Sequence, residues 1–302
     1  MQPITIVIPT YNRSAALATV LPTYDGHPTV ESLVVVDDGS TDGTQTVVEG
    51  FASTSSTPVR VVQHRVRRGV QAARMSGAAA TRTEWILFGE DDVWLSRDYC
   101  QVLYEDALTL HADAIAGRLV TSTGVYQVPP EGEPARSESS TPRLFDVPVF
   151  IGRFHLEPRE PVGAPYLHAI ALIRTSLVKR VGFDPSYGGN AFREEIDFYL
   201  GARSRGFSLV FTPRTLCGHL RNSLASTGGH RGTGASYLRA ELWGIVNTYR
   251  MLRKHKTFLR REHGLLLPPL AHLLLRYCPH RVAYGVKRML SAQKLYFWHQ
   301  GS

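Results

Sequence analysis

Residues able to do chemistry gather where apolar runs stop. Ile8 is followed by Pro9-Thr10-Tyr11-Asn12-Arg13, Val36 by Asp37-Asp38-Gly39-Ser40-Thr41-Asp42-Gly43-Thr44, and Phe88 by Gly89-Glu90-Asp91-Asp92. Carboxylates held close together repel unless a cation or a ligand's donors lie between them. In an extended or turning segment Glu90 and Asp92 fall on one side, where they could share a Mg²⁺ or Mn²⁺ that also binds a diphosphate, with Asp92 the principal ligand. A solvated acidic turn capping a helix that begins near Ser96 accounts for the same triplet. An aspartate of the Asp37-Asp38 run can accept a hydrogen bond from a base imide or a ribose hydroxyl, while Asp42 caps the next helix; a plain strand-to-helix turn reads equally well. Neither a GxGxxG nor a Walker A pattern is present, so neither a dinucleotide site nor a P-loop is expected.

These residues need a frame. Runs rich in β-branched residues at Ile4–Ile8, Leu33–Val36, Val59–Val62 and Trp85–Phe88 read as buried strands of a mostly parallel sheet. Helix-like stretches at Arg13–Val20, Thr44–Phe51, Val70–Thr81 and Ser96–His111 alternate with them, so the first 115 residues form a Rossmann-like β-α half. Ligands of such open α/β sheets collect at the carboxyl ends of the strands, which is where the polar residues lie. Beyond a Pro-, Ser- and Gly-rich excursion from Thr121 to Arg143, the pattern predicts a strand at Tyr166–Ile173, a helix at Thr175–Val181 capped by Thr175, a helix at Glu194–Arg205 and a strand at Phe207–Phe211. A long helix is expected from Ala235 to about Glu262, then a further helical region after Pro268-Pro269.

Taken together, Ile-Val-Ile-Pro-Thr-Tyr-Asn-Arg at 6–13, Val-Val-Val-Asp-Asp-Gly-Ser-Thr-Asp-Gly-Thr at 34–44, Gly69 through Ala73-Arg74, and Glu90-Asp91-Asp92 resemble the nucleotide-binding half of the inverting family-2 glycosyltransferases, which have the GT-A fold. The likeness continues through Ala171-Leu172-Ile173-Arg174, Val181-Gly182-Phe183-Asp184, Arg193-Glu194-Glu195-Ile196-Asp197-Phe198 and Arg205-Gly206-Phe207, and so covers roughly residues 3–220. The resemblance implies that Pro9, Thr10, Asn12 and Arg13 line a nucleotide pocket together with Glu90 and Asp91. By the same likeness Asp38 or Asp37 contacts the base, Arg74 approaches base or phosphates, and Asp92 holds the metal with Glu90. Glu195 takes the position of the catalytic base within the Glu194-Glu195 pair, and His219 that of a histidine completing the metal or diphosphate site. A carboxylate so placed can take the proton of an acceptor hydroxyl as its oxygen attacks the anomeric carbon opposite the leaving diphosphate. Ordinary helix-start acids are the plainer reading of Glu194-Glu195, and a structural role that of His219. Arg221 is a further phosphate candidate, and the glycine-rich 226–234 stretch a lid or a simple connection. Glu90 in place of a commoner Asp, Met75 after Arg74, and Arg67-Arg68 before Gly69 depart from the family pattern.

The implied activity is transfer from a nucleoside-diphosphate sugar, with uridine or thymidine, to a hydroxyl of a glycan, lipid-linked or small-molecule acceptor. A sugar-phosphate nucleotidyltransferase would need a glycine-rich, basic loop after its first strand, and Pro9–Arg13 is not one; a non-catalytic sugar-nucleotide-binding protein would not need Glu195. The chain has 302 residues, 43% hydrophobic and 20% charged, which excludes disordered, collagenous and disulfide-stapled classes. It divides into an expected GT-A domain at 1–234, with a nucleotide half 1–117 and an acceptor half 118–234, and a basic helical region 235–302. Cys100, Cys217 and Cys278 lie far apart without a CxxC pair, as expected for a reducing compartment, and the first residues do not read as a signal peptide. A cytoplasmic protein is expected, peripheral at the inner face of the membrane. Residues 250–302 hold 11 Lys or Arg against Glu262 alone, whereas 1–249 is close to neutral. Leucines and aromatics interleave this charge, which points to an anionic membrane surface or to a packing appendage, and not to nucleic acid, since no nucleic-acid motif accompanies it.

Overall fold

The computed structural model describes residues 3–121, 144–220 and 234–283. The chain begins β1 (Ile4–Thr10), α1 (Ser14–Tyr24), β2 (Val30–Asp37), α2 (Thr44–Thr54), β3 (Val59–Gln63), α3 (Val70–Ala80) and β4 (Trp85–Phe88). It continues β5 (Val93–Leu95), α4 (Tyr99–Thr109), β6 (Ala114–Thr121), the short strands β7 (Phe145–Asp146), β8 (Ile151–Gly152) and β9 (Val162–Gly163), then β10 (Leu172–Arg174), α5 (Thr175–Val181), α6 (Glu194–Arg203), β11 (Leu209–His219) and α7 (Gly234–His263). Last comes α8 (Pro269–His272), which runs on as a π-turn through Tyr277 and helix to 283.

The main sheet has the order β3-β2-β1-β4-β10-β6-β11-β5, with β9 added to β11. Strands β1 to β4 are parallel, β10 runs antiparallel between β4 and β6, and β11 is parallel to β6. A mostly parallel sheet flanked by helices is therefore observed. All seven residues of β1 are buried, which a central strand covered on both faces requires. Its side chains alternate: Ile4, Ile6 and Ile8 join α1 and α4 in one core, and Val7 joins α3, α5 and α6 in the other. In register, Thr10 stands beside Asp37 and Val7 beside Phe88, so the loops that follow β1, β2 and β4 open at one edge.

Three expectations change. The strand expected from Tyr166 starts only at Leu172, and the preceding residues form a buried turn in which His168 Nδ1 accepts from the Ile170 amide at 3.2 Å. That apolar run is buried by side-chain packing, without a ladder. Thr175 does not cap α5: its hydroxyl donates to the Thr83 carbonyl at 2.8 Å, and Arg174 stands at the cap. β11 runs past Phe211 to His219 because it pairs first with β9 and β6 and then with β5. The expected C-terminal helical region packs onto the rest of the chain: Met251, Leu252, Phe258, Leu259, Leu273 and Tyr277 share a core with Phe198 and Leu200 of α6.

Candidate active site

The acidic turn after β4 is fixed from behind by α1. Tyr24, fully buried, places its hydroxyl 3.0 Å from the Glu90 carbonyl and 2.9 Å from the Val93 carbonyl, which share its single proton, and accepts from the Glu90 amide (3.2 Å). Gly89 permits this contact, because a Cβ there would lie 2.8 Å from the Tyr24 ring. From the front, the loop after β1 grips the carboxylates. Thr10 Oγ1 donates to Asp91 at 2.9 Å, and Arg13 donates to Asp91 at 3.1 Å and to Asp92 at 2.8 Å. Burial, with Asp92 nearby and only partly offset by Arg13, pushes Asp91 up to about 6. These bonds turn Asp91 inward and leave the carboxylates on either side of it to face His219 at the end of β11.

Glu90, Asp92 and His219 each offer one ligand atom, all within 4.8 Å of one another. Asp92 Oδ1 lies 3.7 Å from His219 Nδ1 while Oδ2 takes the Arg13 bond. Burial and the Asp92 carboxylate push Glu90 up to about 7, against the pull of His219 and Arg74. Two carboxylates and an imidazole gathered this closely are donor types that a small divalent cation takes, and its charge would offset their repulsion. The residues therefore fit Mg²⁺ or Mn²⁺.

α6 begins at the same place. Arg193, in the left-handed conformation with φ 79°, is buried and donates to the carbonyls of Phe150 and Val149 and to Thr248, which pins the helix start. Glu194, 2% exposed, forms an ion pair with the equally buried Arg74 of α3. Arg74 also lies 3.5 Å from Glu90 and 3.8 Å from Glu195. The expected base or phosphate ligand is thus found at the junction of three carboxylates, linking the acidic turn to α6. Glu195 keeps a side chain 31% exposed and lines, with Glu90 and His219, a cavity of about 360 Å³.

The other expected nucleotide residues are loop builders as well. Asp38 accepts from His64 Nδ1 (2.7 Å) and from the Arg68 (2.8 Å) and Gly69 (2.7 Å) amides, so it shapes the 64–69 loop; Asp37 accepts from the Ser40 amide. Asn12, at φ 51°, accepts from the Thr41 amide at 2.7 Å and so ties the loops after β1 and β2. Asp42 accepts from the amides of both Ser14 and Thr44, at the starts of α1 and α2. Pro9 pairs with Val36 inside the ladder. The Arg67 guanidinium sits 4.4 Å from the Tyr11 ring centre at the mouth of these loops. Tyr24 and His168 are site residues that the sequence does not flag, and Arg193 enters the likeness without a role; apart from the local bond of His168 to Ile170, their partners lie 31 to 69 residues away, where no local pattern marks them. Arg221, the 226–233 part of the glycine-rich stretch and the 122–143 part of the excursion lie outside the described residues.

Strand order, the acidic turn and the carboxylate at the start of α6 define a nucleotide-sugar transferase frame. The model of glycosyl transferase family 2 matches residues 5–164, more than half of the chain, and the chain belongs to that family; it is a glycosyltransferase. Among solved structures it is similar to S. aureus TarS 1-349 in complex with UDP-GlcNAc, at 15% identity and TM-score 0.55, covering 86% of this chain and 73% of that one. The same TarS fragment in complex with UDP gives 16% identity and TM-score 0.53, covering 89% and 76%. Against the longer TarS chain the match spans 46% of that chain, with TM-score 0.53 and 14% identity. These likenesses show a shared GT-A fold. No match was found among curated proteins.

Proposed function

We propose that the protein is an inverting, metal-dependent glycosyltransferase that moves a sugar from a nucleoside diphosphate, UDP or dTDP, to an acceptor hydroxyl. One observation carries this: Glu195 lines the same cavity as Glu90 and His219, two members of the Glu90–Asp92–His219 cluster, and Arg74 lies within 4 Å of both Glu90 and Glu195. Glu195 is the base, and Glu194, buried against Arg74, positions it. Asp92, Glu90 and His219 would hold Mg²⁺ or Mn²⁺, which when bound supplies positive charge for the leaving diphosphate. Thr10 and Arg13 hold the acidic turn in place, and the loops built by Asn12, Asp37 and Asp38 form the nucleotide side. Residues 1–234 make the catalytic unit in this reading. UDP-GlcNAc, bound by TarS, is a rational first donor.

The acceptor, whether glycan, lipid-linked or small molecule, brings its hydroxyl to Glu195. For the C-terminal region we infer contact with an anionic membrane surface at the cytoplasmic face. Leu238, Leu242 and Val246, one helical turn apart on α7, are exposed, as are Leu266, Leu270, Leu274, Leu275 and Val282 beyond it, and they accompany the basic charge. No helix among the described residues is long and apolar enough to cross a membrane. The test of the catalytic reading is a screen of nucleotide sugars for hydrolysis and thermal stabilisation with and without Mn²⁺. Neither effect with any donor would refute it.

A further inference from the structure

Among the described residues, the cavity beside Glu195 is polar at one end only. Glu90, Glu195 and His219 occupy that end; the rest of the wall includes Leu119, Phe150, Phe154, Tyr166 and Ile196. Two inner side chains look polar by type, yet both are already engaged. The Tyr166 hydroxyl donates to the Ile151 carbonyl at 3.1 Å. His168 donates from Nε2 to the Gly117 carbonyl at 2.8 Å and accepts the Ile170 amide at Nδ1. Phe154 is held edge-on against His168, with ring centres 4.9 Å apart, and lies over Gly152, where a Cβ would come within 2.3 Å of its ring. The apolar wall is therefore built into the fold.

A sugar ring carries hydroxyls on nearly every carbon, and each one buried against this wall would give up water without gaining a side-chain partner. An aromatic ring or alkyl chain loses nothing there and gains burial. We propose that the acceptor is a single hydroxyl on an apolar body, which rests on Phe150, Phe154 and Tyr166 and presents its oxygen to Glu195. This rests on the glycosyltransferase reading above and names its acceptor class. The hydroxyl oxygen forms the new bond to the anomeric carbon, its proton passes to the Glu195 carboxylate, and the bond from that carbon to the diphosphate oxygen breaks with the electron pair leaving on the diphosphate.

The test titrates the full chain with 4-butylphenol, 1-octanol and methyl β-maltoside by saturation-transfer NMR, with and without UDP and MgCl₂. The two alcohols separate aryl from alkyl bodies. Binding of at least one of them is expected, weakened tenfold or more by a folded Phe154→Ala and by Leu119→Gln, while UDP binding is kept by both and the wild-type melting temperature by Leu119→Gln. Leu119 is only half-buried, so its variant preserves a test if Phe154→Ala fails to fold. Alcohol binding that Leu119→Gln and a folded Phe154→Ala leave unchanged, or a maltoside that displaces the alcohols from the cavity, would overturn the proposal. Loss of UDP binding by the wild-type chain would count against the catalytic reading alone, because the titration without nucleotide reads the cavity by itself.

Discussion

Two adjacent glutamates at the start of α6 should behave differently when each is changed to glutamine. Glu194 and Arg74 are both 2% exposed and paired, so Glu194→Gln leaves a buried guanidinium short of one negative partner. Removing one member of a buried ion pair costs about 3–5 kcal/mol. Arg74 retains Glu90 at 3.5 Å and Glu195 at 3.8 Å, which lowers the expected loss to about 2–3 kcal/mol. At roughly 2–4 °C per kcal/mol for a chain of this order of size, the melting temperature should drop by about 4–12 °C. Glu195 is partly solvated and more distant from Arg74, a contact contributing under ~1 kcal/mol, so Glu195→Gln should melt close to wild type. Its transfer rate should instead fall by about 10²–10⁴-fold with donor binding kept, since glutamine preserves shape and deletes the base. Scanning fluorimetry and nucleotide-release kinetics on the two variants measure both quantities. A Glu195→Gln enzyme near full activity beside a stable but dead Glu194→Gln would refute the assignment and exchange the roles.

Stabilisation by UDP should require a divalent cation and reach about 2.7 kcal/mol at 100 times the dissociation constant; Asp92→Ala should abolish the cation dependence, and equal stabilisation in EDTA would remove the metal from the account. His168 is pushed down to about 4 by burial, which outweighs its bond to the Gly117 carbonyl. Its folded value lies below the unfolded one, so its contribution is complete above about pH 6.5 and is lost as pH falls towards 4, by at most about 3 kcal/mol. A His168→Gln variant should therefore show a flatter acid limb in urea melts between those values, and an unaltered slope would show that the imidazole does not titrate there. The full chain should co-sediment with anionic but not neutral vesicles at low salt, on the basis of ~1 kcal/mol per basic residue near such a surface. Leu270→Ser with Leu274→Ser should weaken that binding about tenfold or more, and no binding to anionic vesicles would leave this face to packing or oligomerisation. Truncation near Thr248 is not a clean version of that test, because it removes the buried Met251, Leu252, Phe258 and Leu259 from the core.

Local pattern alone determined the parallel half of this protein. The runs in β1, β2 and β4 are continuous, apolar and punctuated by turn residues, and a strand buried on both faces needs nothing more to be recognised; β3, read as buried from the same kind of run, is instead the edge strand of the sheet with Val61 exposed, because its place in the strand order is not written in its own residues. The acidic turn, the Glu194-Glu195 pair and the likeness to family 2 were legible for the same reason: each is a short segment whose residue types stand next to one another. Strands β5 and β6 were not expected, since Val93–Leu95 is three residues long and β6 is held by β10 and β11 from far along the chain. Tertiary structure alone decided which partner each charged group has. Asp38 could meet a base by its position in the sequence, yet its carboxylate closes on the 64–69 loop. Arg74 could reach a phosphate, yet it pairs with Glu194, 120 residues away, and that contact separates the buried glutamate from the one that faces the cavity. A carboxylate's role depends on burial and on the charges within a few ångströms of it, and those distances are set by how strands and helices pack, which no spacing along the chain encodes.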